Sequence, residues 1–223
     1  MRPLRERLGK QSLLLTPSFV ITGIGKINAA VETAMALRDT APILTIQVGC
    51  AGAFPAAALE IGDVVVSDLE LLGDEGVESP EGFLDLAHLG FPVAHQGKTP
   101  IFNEIPVARP RFEDWSEILR RVAGRFTIRC GRTVTVSTGS GTNRRSKEIA
   151  TRWDPLAESM EGAASALVAL QRKCRYMQVR GISNQAGNRK RDEWDVDTAS
   201  DHAAEVALHI LGLEFSPPEE SSG

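Results

Sequence analysis

Two rhythms of apolar positions alternate along the chain. Short apolar runs rich in β-branched residues recur at Ser12–Leu15, Phe19–Thr22, Pro42–Val48, Asp63–Ser67, Arg132–Ser137 and Tyr176–Ile182, and each reads as a strand. Between them, apolar side chains return at helical spacing. That pattern predicts helices over Ile27–Leu37, Arg111–Val122, a stretch beginning near Ser146, Met160–Gln171 and Thr198–Leu211. Strands that are apolar throughout, rather than alternating, are buried on both faces, and helices intervene between them. The expected fold is therefore α/β: one domain, a twisted mixed sheet flanked by helices, over residues 1–215, with 216–223 as a polar flexible tail. Pro80 to Pro106 has weak periodicity and many turn residues, so it reads as a long functional loop or a subunit-contact excursion.

Composition narrows the function classes. A length of 223 residues suffices for one full core, and 42% hydrophobic with 24% charged residues is ordinary for a globular chain. A formal net charge of −4 gives no electrostatic footprint for nucleic acid or an anionic membrane. No apolar run reaches the length of a bilayer span, and Met1-Arg2-Pro3-Leu4-Arg5 lacks a signal-peptide core. Cys50, Cys130 and Cys174 are widely spaced, which favours reduced thiols and a cytoplasmic location.

Four segments carry candidate chemistry. Gly23-Ile24-Gly25-Lys26-Ile27-Asn28 tempts a dinucleotide-binding reading, but the third glycine is Asn28 and no acid ends the following strand. A tight turn that brings backbone near a ligand is the better reading. Gly49-Cys50-Ala51-Gly52-Ala53, at a strand end, is either a turn with close helix packing or a flat floor beneath a planar ring. Glu158 and Glu161 flank Ser159 and Met160. Glu158 either favours a helix dipole or takes part in the site. Glu161 sits among Met160, Gly162, Ala163 and Ala164, where a carboxylate needs partners, and a ribose diol would supply two donors. Asn184 ends a strand as Gly181-Ile182-Ser183-Asn184 and either caps its loop or meets a ligand, and Trp194 is either a core anchor or an aromatic wall. Together they suggest a small-molecule site at strand carboxyl ends. His88, His95, His202 and His209 show no metal-binding spacing, and packing is the simpler role for His202 and His209, which share a helix face. Arg144-Arg145 and Arg189-Lys190-Arg191 are short basic clusters able to pair a substrate carboxylate.

Several of these motifs occur together in one known superfamily. Gly23 to Ala30, Gly52 with Leu59 to Ser67, Glu158 to Ala164 and Gly181 to Asn184 resemble the nucleoside phosphorylase/nucleosidase superfamily. Asp74-Glu75-Gly76-Val77, Gly82 to Leu86, Leu89-Gly90-Phe91-Pro92, and Asn184 with Gly187-Asn188-Arg189 and Trp194 are most similar to futalosine hydrolases. The resemblance runs from about residue 3 to 212. It implies hydrolysis of the N-glycosidic bond of futalosine to hypoxanthine and dehypoxanthine futalosine in menaquinone biosynthesis. It also implies a homodimer or higher homo-oligomer, and no metal or organic cofactor. Carried over position by position, Glu161 would hold the ribose hydroxyls and Met160 would pack beneath the sugar. Trp194 would act as a lid, Asn184 would meet the purine, and Glu158, Ala51, Gly52 and Ile24 would line the site. The related methylthioadenosine nucleosidases place an aspartate where Asn184 stands.

One departure qualifies the implied activity. The superfamily opens with a strand and a loop glutamate that activates water, whereas Met1 to Gly9 matches only the helix that follows. The expectation is that the first strand and the base are absent, through a start assigned too far downstream or a catalytically crippled form. Two nearer alternatives are an adenine-releasing nucleosidase of the methylthioadenosine/adenosylhomocysteine type and a purine nucleoside phosphorylase. From another class, a non-catalytic nucleoside-binding protein fits the missing base.

Overall fold

The computed structural model describes residues 17–110, 112–188 and 193–215. In chain order the elements are α1 (Lys26–Arg38), β1 (Leu44–Ala53), β2 (Val64–Leu72), β3 (Gly76–Ser79), β4 (Gly82–Asp85), α2 (Leu86–Leu89), β5 (Ala94–Gln96), β6 (Thr99–Ile101), β7 (Glu104–Pro106) and α3 (Phe112–Val122). They continue with β8 (Ile128–Thr135), α4 (Asn143–Trp153), β9 (Ala157–Ser159), α5 (Gly162–Gln171), β10 (Arg175–Gln185) and α6 (Val196–Phe215). The main sheet runs β10-β1-β9-β8-β2-β7, and β10 also pairs with β2. Strands β10, β1, β9, β8 and β2 thus close a ring of pairings around a shared interior. Parallel pairs (β1–β10, β2–β8, β8–β9) mix with antiparallel ones (β1–β9, β10–β2, β2–β7), giving the mixed α/β sheet expected.

Burial explains why the strand sequences lack alternation. Val64, Val65 and Val66 are all inaccessible, because one face of β2 meets α6 and the other meets the interior of the ring. Six of the ten residues of helix α5 are glycine, alanine or serine, and Ala163, Ala166 and Ala169 pack fully against the sheet and α1. Thr33 of α1 donates to Ser165 of α5 at 3.0 Å inside that contact. Helix α6 lays Ala203, Val206, Ala207 and Ile210 on the β1–β10–β2 side. Its start is set by Asp195, whose carboxylate accepts from the Thr198 amide at 2.9 Å and is held below its ordinary pKa mainly by that bond. His202 of α6 stacks on Phe126 with ring centroids 4.0 Å apart, the packing role expected.

Four expectations need correction. Phe19–Thr22 forms no strand; residues 17–22 have no regular structure. Gly49–Ala53 is not a turn but the last half of β1, flanked by β10 on one side and β9 on the other. Glu158 does not open a helix. It lies in β9, a three-residue strand wedged between β1 and β8. The segment Pro80 to Pro106 is no open loop, since it folds into β4 to β7 and α2. Buried Asn103 ties it down, accepting from the Leu86 amide (2.8 Å) and donating to the carbonyls of Leu72 (2.8 Å) and Glu75 (2.9 Å). The readings placed on Met1–Gly9, Ser12–Leu15, Arg111, Arg189–Arg191 and residues 216–223 lie outside the described residues. Among the described residues no helix is long and apolar enough to cross a membrane.

Candidate functional site

The C-terminal ends of β1 and β10 lie side by side, with β9 crossing the end of β1. In register, Cys50 faces Gly181, Ala51 faces Ile182, Gly52 faces Asn184, and Gly52 also faces Glu158 of β9. The register shifts between Ala51 and Gly52, where Ser183 is the extra residue, so the bulge lies in β10 and re-aims Asn184. Gly52 is required by what flanks it. A Cβ there would stand 3.0 Å from the Asn184 amide nitrogen and 3.5 Å from the Ala186 Cβ. The small-residue segment therefore admits the Asn184 side chain to the strand ends.

Glu161 is the N-cap residue of α5, and it leads into this same corner. One carboxylate oxygen accepts from the Gly25 amide at 3.1 Å, the other from Arg180 Nη1 at 3.1 Å. Gly25 adopts φ of 90°, a conformation open to glycine, which turns its N–H away from α1 and toward Glu161. The Glu161 side chain keeps 13% of its surface exposed and that of Arg180 4%, so the ion pair sits at the boundary between interior and solvent. Arg180 reaches Glu161 across β1 at Gly49, where a Cβ would lie 2.5 Å from Nη1. Its other contacts are the Cys50 carbonyl (3.3 Å) and Gln178 (3.1 Å).

Asn184 is oriented by its neighbours. Ser183 donates its hydroxyl to Asn184 Oδ1 at 2.9 Å, and Asn184 Nδ2 donates to the Gln185 carbonyl at 3.0 Å. The oxygen thereby accepts from Ser183, and the amide nitrogen has a second N–H beyond the one given to Gln185. Glu158 is buried and is engaged by the Ser140 amide (2.8 Å) and hydroxyl (2.7 Å). Burial raises its pKa against the lowering effect of those bonds. It fastens the Ser137–Thr142 loop to β9. Asp74 accepts from the Ser137 amide at 2.6 Å, and Asp74 and Glu75 both pair with Lys26 of α1.

The structure thus brings Ala51, Gly52, Glu158, Met160, Glu161 and Asn184 to one corner. Trp194 lies nearby, because the Asp195 amide donates to the Ser183 carbonyl at 3.0 Å; Trp194 is 36% exposed. Ile24 is 74% exposed, and its neighbour Gly25 donates to Glu161. Arg144 pairs with Glu148 on the exposed side of α4, beside a shallow concavity of about 420 Å³ lined by Arg144, Lys147, Glu148, Thr151 and Arg152. That concavity includes none of the corner residues. Sequence reasoning missed Arg180 altogether. The signal was the spacing of Tyr176, Gln178 and Arg180, three polar-tipped residues at every second position of an otherwise apolar strand. Among the described residues no group of three or more His, Cys, Asp or Glu is placed to hold a metal ion.

Comparison with known proteins bears on the family and the fold. The family model of the Phosphorylase superfamily matches residues 13–213. Futalosine hydrolase of Acidothermus cellulolyticus is 34% identical over 201 residues, covering 90% of this chain and 77% of that protein. The enzyme of that name from Thermus thermophilus is 31% identical, covering 88% and 81%. A 5'-methylthioadenosine/S-adenosylhomocysteine nucleosidase of Aeromonas salmonicida is 29% identical over 217 residues, covering 92% and 84%. The solved structure of the corresponding nucleosidase from Neisseria meningitidis, in complex with methylthio-immucillin-A, matches with a TM-score of 0.74 at 22% identity over 95% of both chains, which supports the fold.

Proposed function

We propose that this chain, which belongs to the phosphorylase superfamily and is a nucleosidase, hydrolyses the N-glycosidic bond of futalosine. The observation that carries the reading is the corner itself, where the anchored carboxylate of Glu161 and the oriented amide of Asn184 stand at adjoining strand ends. Breaking the bond between ribose C1' and purine N9 leaves positive charge on the ribose and negative charge on the base; water adds to C1', and the proton it loses neutralises the departing base. Glu161 accepts from the ribose hydroxyls and stabilises the oxocarbenium-like sugar. Met160 supports the sugar from below, and Trp194 closes over it.

Asn184 meets the purine. An amide cannot deliver a proton, but its N–H can donate a hydrogen bond to N7 or O6. Hypoxanthine leaves more readily than adenine, because O6 shares the negative charge, so a neutral donor suffices. Asn184 therefore favours hypoxanthine release, and the role in menaquinone biosynthesis follows from that substrate. Glu158 acts indirectly, by holding the Ser137–Thr142 loop at the rim. A homo-oligomer belongs to the same proposal. Ile27, Val31 and Met35 on α1 are exposed at 81%, 49% and 55%, an apolar face that a second copy would cover.

The second reading, a methylthioadenosine/adenosylhomocysteine-type nucleosidase, is favoured by the relatives of that name at 26–29% identity. Incubating the protein with futalosine, with methylthioadenosine, and with inosine plus phosphate, then measuring free base, separates the possibilities. Hypoxanthine from futalosine is the expected result. Adenine release without hypoxanthine release would overturn it in favour of the second reading. Base release from inosine only with phosphate would mark a phosphorylase, and tight binding without turnover a nucleoside-binding protein.

A further inference from the structure

Behind Glu161 lies a second carboxylate that the proposed chemistry does not use. Glu70 of β2 has no accessible surface. It points inward because of a bulge: in the pairing with β8, Ser67 faces Gly131, Leu69 faces Arg132 and Glu70 faces Thr133, so Asp68 is an extra residue. Without it, Ser67 and Leu69 would share a face; with it, Ser67 and Glu70 do. A one-residue insertion thus turns a carboxylate into the interior of the strand ring.

Glu70 is connected to Glu161 by side chains alone. Thr133 donates to Glu70 Oε1 at 2.5 Å, Gln178 Nε2 donates to Thr133 Oγ1 at 3.0 Å, and Arg180 Nη2 donates to Gln178 Oε1 at 3.1 Å. Arg180 Nη1 then donates to Glu161 Oε2 at 3.1 Å. Between the guanidinium and Glu70 every donor points the same way, toward Glu70, while the other guanidinium nitrogen points to Glu161. Gly162 permits it: a Cβ there would lie 2.1 Å from Gln178 Oε1 and 2.4 Å from Glu70 Oε2. The primary amide of Gln178 has no proton to pass on under ordinary conditions, so the chain transmits charge and orientation rather than protons.

Resting on the reading of Glu161 as the ribose carboxylate, we propose that Glu70 is a positioning residue that shares the Arg180 cation with Glu161 and sets the charge of the site. With Glu70 ionised, one guanidinium serves two carboxylates, and the cluster carries a net negative charge that favours a cationic sugar. With Glu70 protonated, Arg180 neutralises Glu161, and that advantage is lost. The charged and titratable groups facing Glu70 are Arg180 and Tyr176 of β10 and Glu161 at the head of α5. From β8 it meets the hydroxyls of Thr133 and Thr135, and from its own strand that of Ser67. Burial raises the Tyr176 phenol well above its ordinary range, so it stays neutral. Burial likewise raises Glu70 to about 7, against the lowering effects of Thr133, Ser67, Arg180 and Thr135, so its charge changes within the range where enzymes are assayed.

The test compares the wild type with Glu70→Gln, Thr133→Val and Glu161→Gln, recording kcat/KM from pH 5.5 to 9 on whichever of futalosine or methylthioadenosine is turned over. The wild type should rise roughly tenfold through pH 7, and Glu70→Gln should stay flat at the low value. Thr133→Val removes a bond that lowers the Glu70 pKa, so its rise should move to higher pH. It is the decisive variant if Glu70→Gln has a depressed unfolding midpoint. Binding of a cationic iminoribitol analogue gives a readout without turnover. The wild-type advantage over Glu70→Gln should grow from about one at pH 6 to roughly tenfold at pH 8, while neutral inosine shows no such change. A wild-type limb retained in Glu70→Gln and unmoved in Thr133→Val, or an analogue advantage independent of pH, overturns the proposal. Near-normal turnover of Glu161→Gln overturns the underlying site reading instead, whatever Glu70 does.

Discussion

Gly181→Ala tests whether the site is held by the close approach of β10 to α6. At Gly181 a Cβ would stand 1.9 Å from the carbonyl oxygen of Ala199, 2.5 Å from its carbonyl carbon and 2.8 Å from its Cα. These are backbone atoms of a 20-residue helix, with no flexible side-chain end to swing aside. Restoring ordinary contact needs a shift of about 1.5 Å between helix and strand, and overpacking of this kind costs ~1–3 kcal/mol or more. The rigidity of both partners places the expected loss near the top of that range, about 3 kcal/mol, equivalent to a midpoint about 6–12 °C lower. Urea unfolding measures it, with Gly212→Ala as the control. A Cβ at Gly212 meets nothing within 4 Å, and alanine in place of glycine inside a helix gains up to ~1 kcal/mol. Gly181→Ala should also reduce turnover, because Gly181 precedes Asn184 by three residues on the displaced strand. A loss below about 1 kcal/mol with an unchanged urea dependence would refute the claim that this approach is rigid.

Further outcomes follow from the same geometry. Glu161→Gln should lower turnover at least roughly tenfold in steady-state assays of base release, by weakening the Arg180 pairing and removing charge beside the oxocarbenium-like sugar. Asn103→Ala leaves the Leu86 amide and the Leu72 and Glu75 carbonyls without that partner, and should cost about 3 kcal/mol in denaturant unfolding. For Glu70, the folded pKa of about 7 lies above the ordinary 4.5, so the folded state binds the extra proton between these values. The stabilisation from the protonated group is complete below pH 4.5 and is lost as pH rises through 7. Wild-type unfolding free energy should therefore fall across that window, relative to Glu70→Gln, by about 3 kcal/mol.

What the sequence disclosed depended on how local its cause was. Helix α3 was legible from its helical periodicity, and α1, α5 and α6 from runs rich in alanine and other helix-favouring residues. Strands β2 and β10 were legible as short runs rich in apolar and β-branched residues, whose cores the structure retains. Strand β9 was not, since three residues cannot display a period and its pairing depends on β1 and β8, each far away in sequence. Phe19–Thr22 has strand composition but makes no ladder, and composition alone cannot supply a partner. Gly49–Ala53 misled in the opposite direction. Glycine and alanine are poor strand formers, yet they extend β1 because Arg180 and Asn184 need the space their absent side chains leave.

The same contrast separates the two halves of the candidate site. Glu161 and Asn184 stood out because an acid among alanines and an amide at a strand end are locally anomalous. Arg180, Gln178, Thr133 and Glu70 are anomalous only together, once the ring of strands turns them toward one interior. Their arrangement alters what Glu161 can do. Its two oxygens already accept from Gly25 and Arg180, so under the proposed reading only their remaining lone pairs would meet the ribose hydroxyls. A sugar bound there shares the carboxylate with a guanidinium whose other nitrogen bonds to Gln178. Under the proposal, the strength of Glu161 toward a cationic sugar would be set by how much of the Arg180 charge it must neutralise alone, a quantity governed from inside the fold.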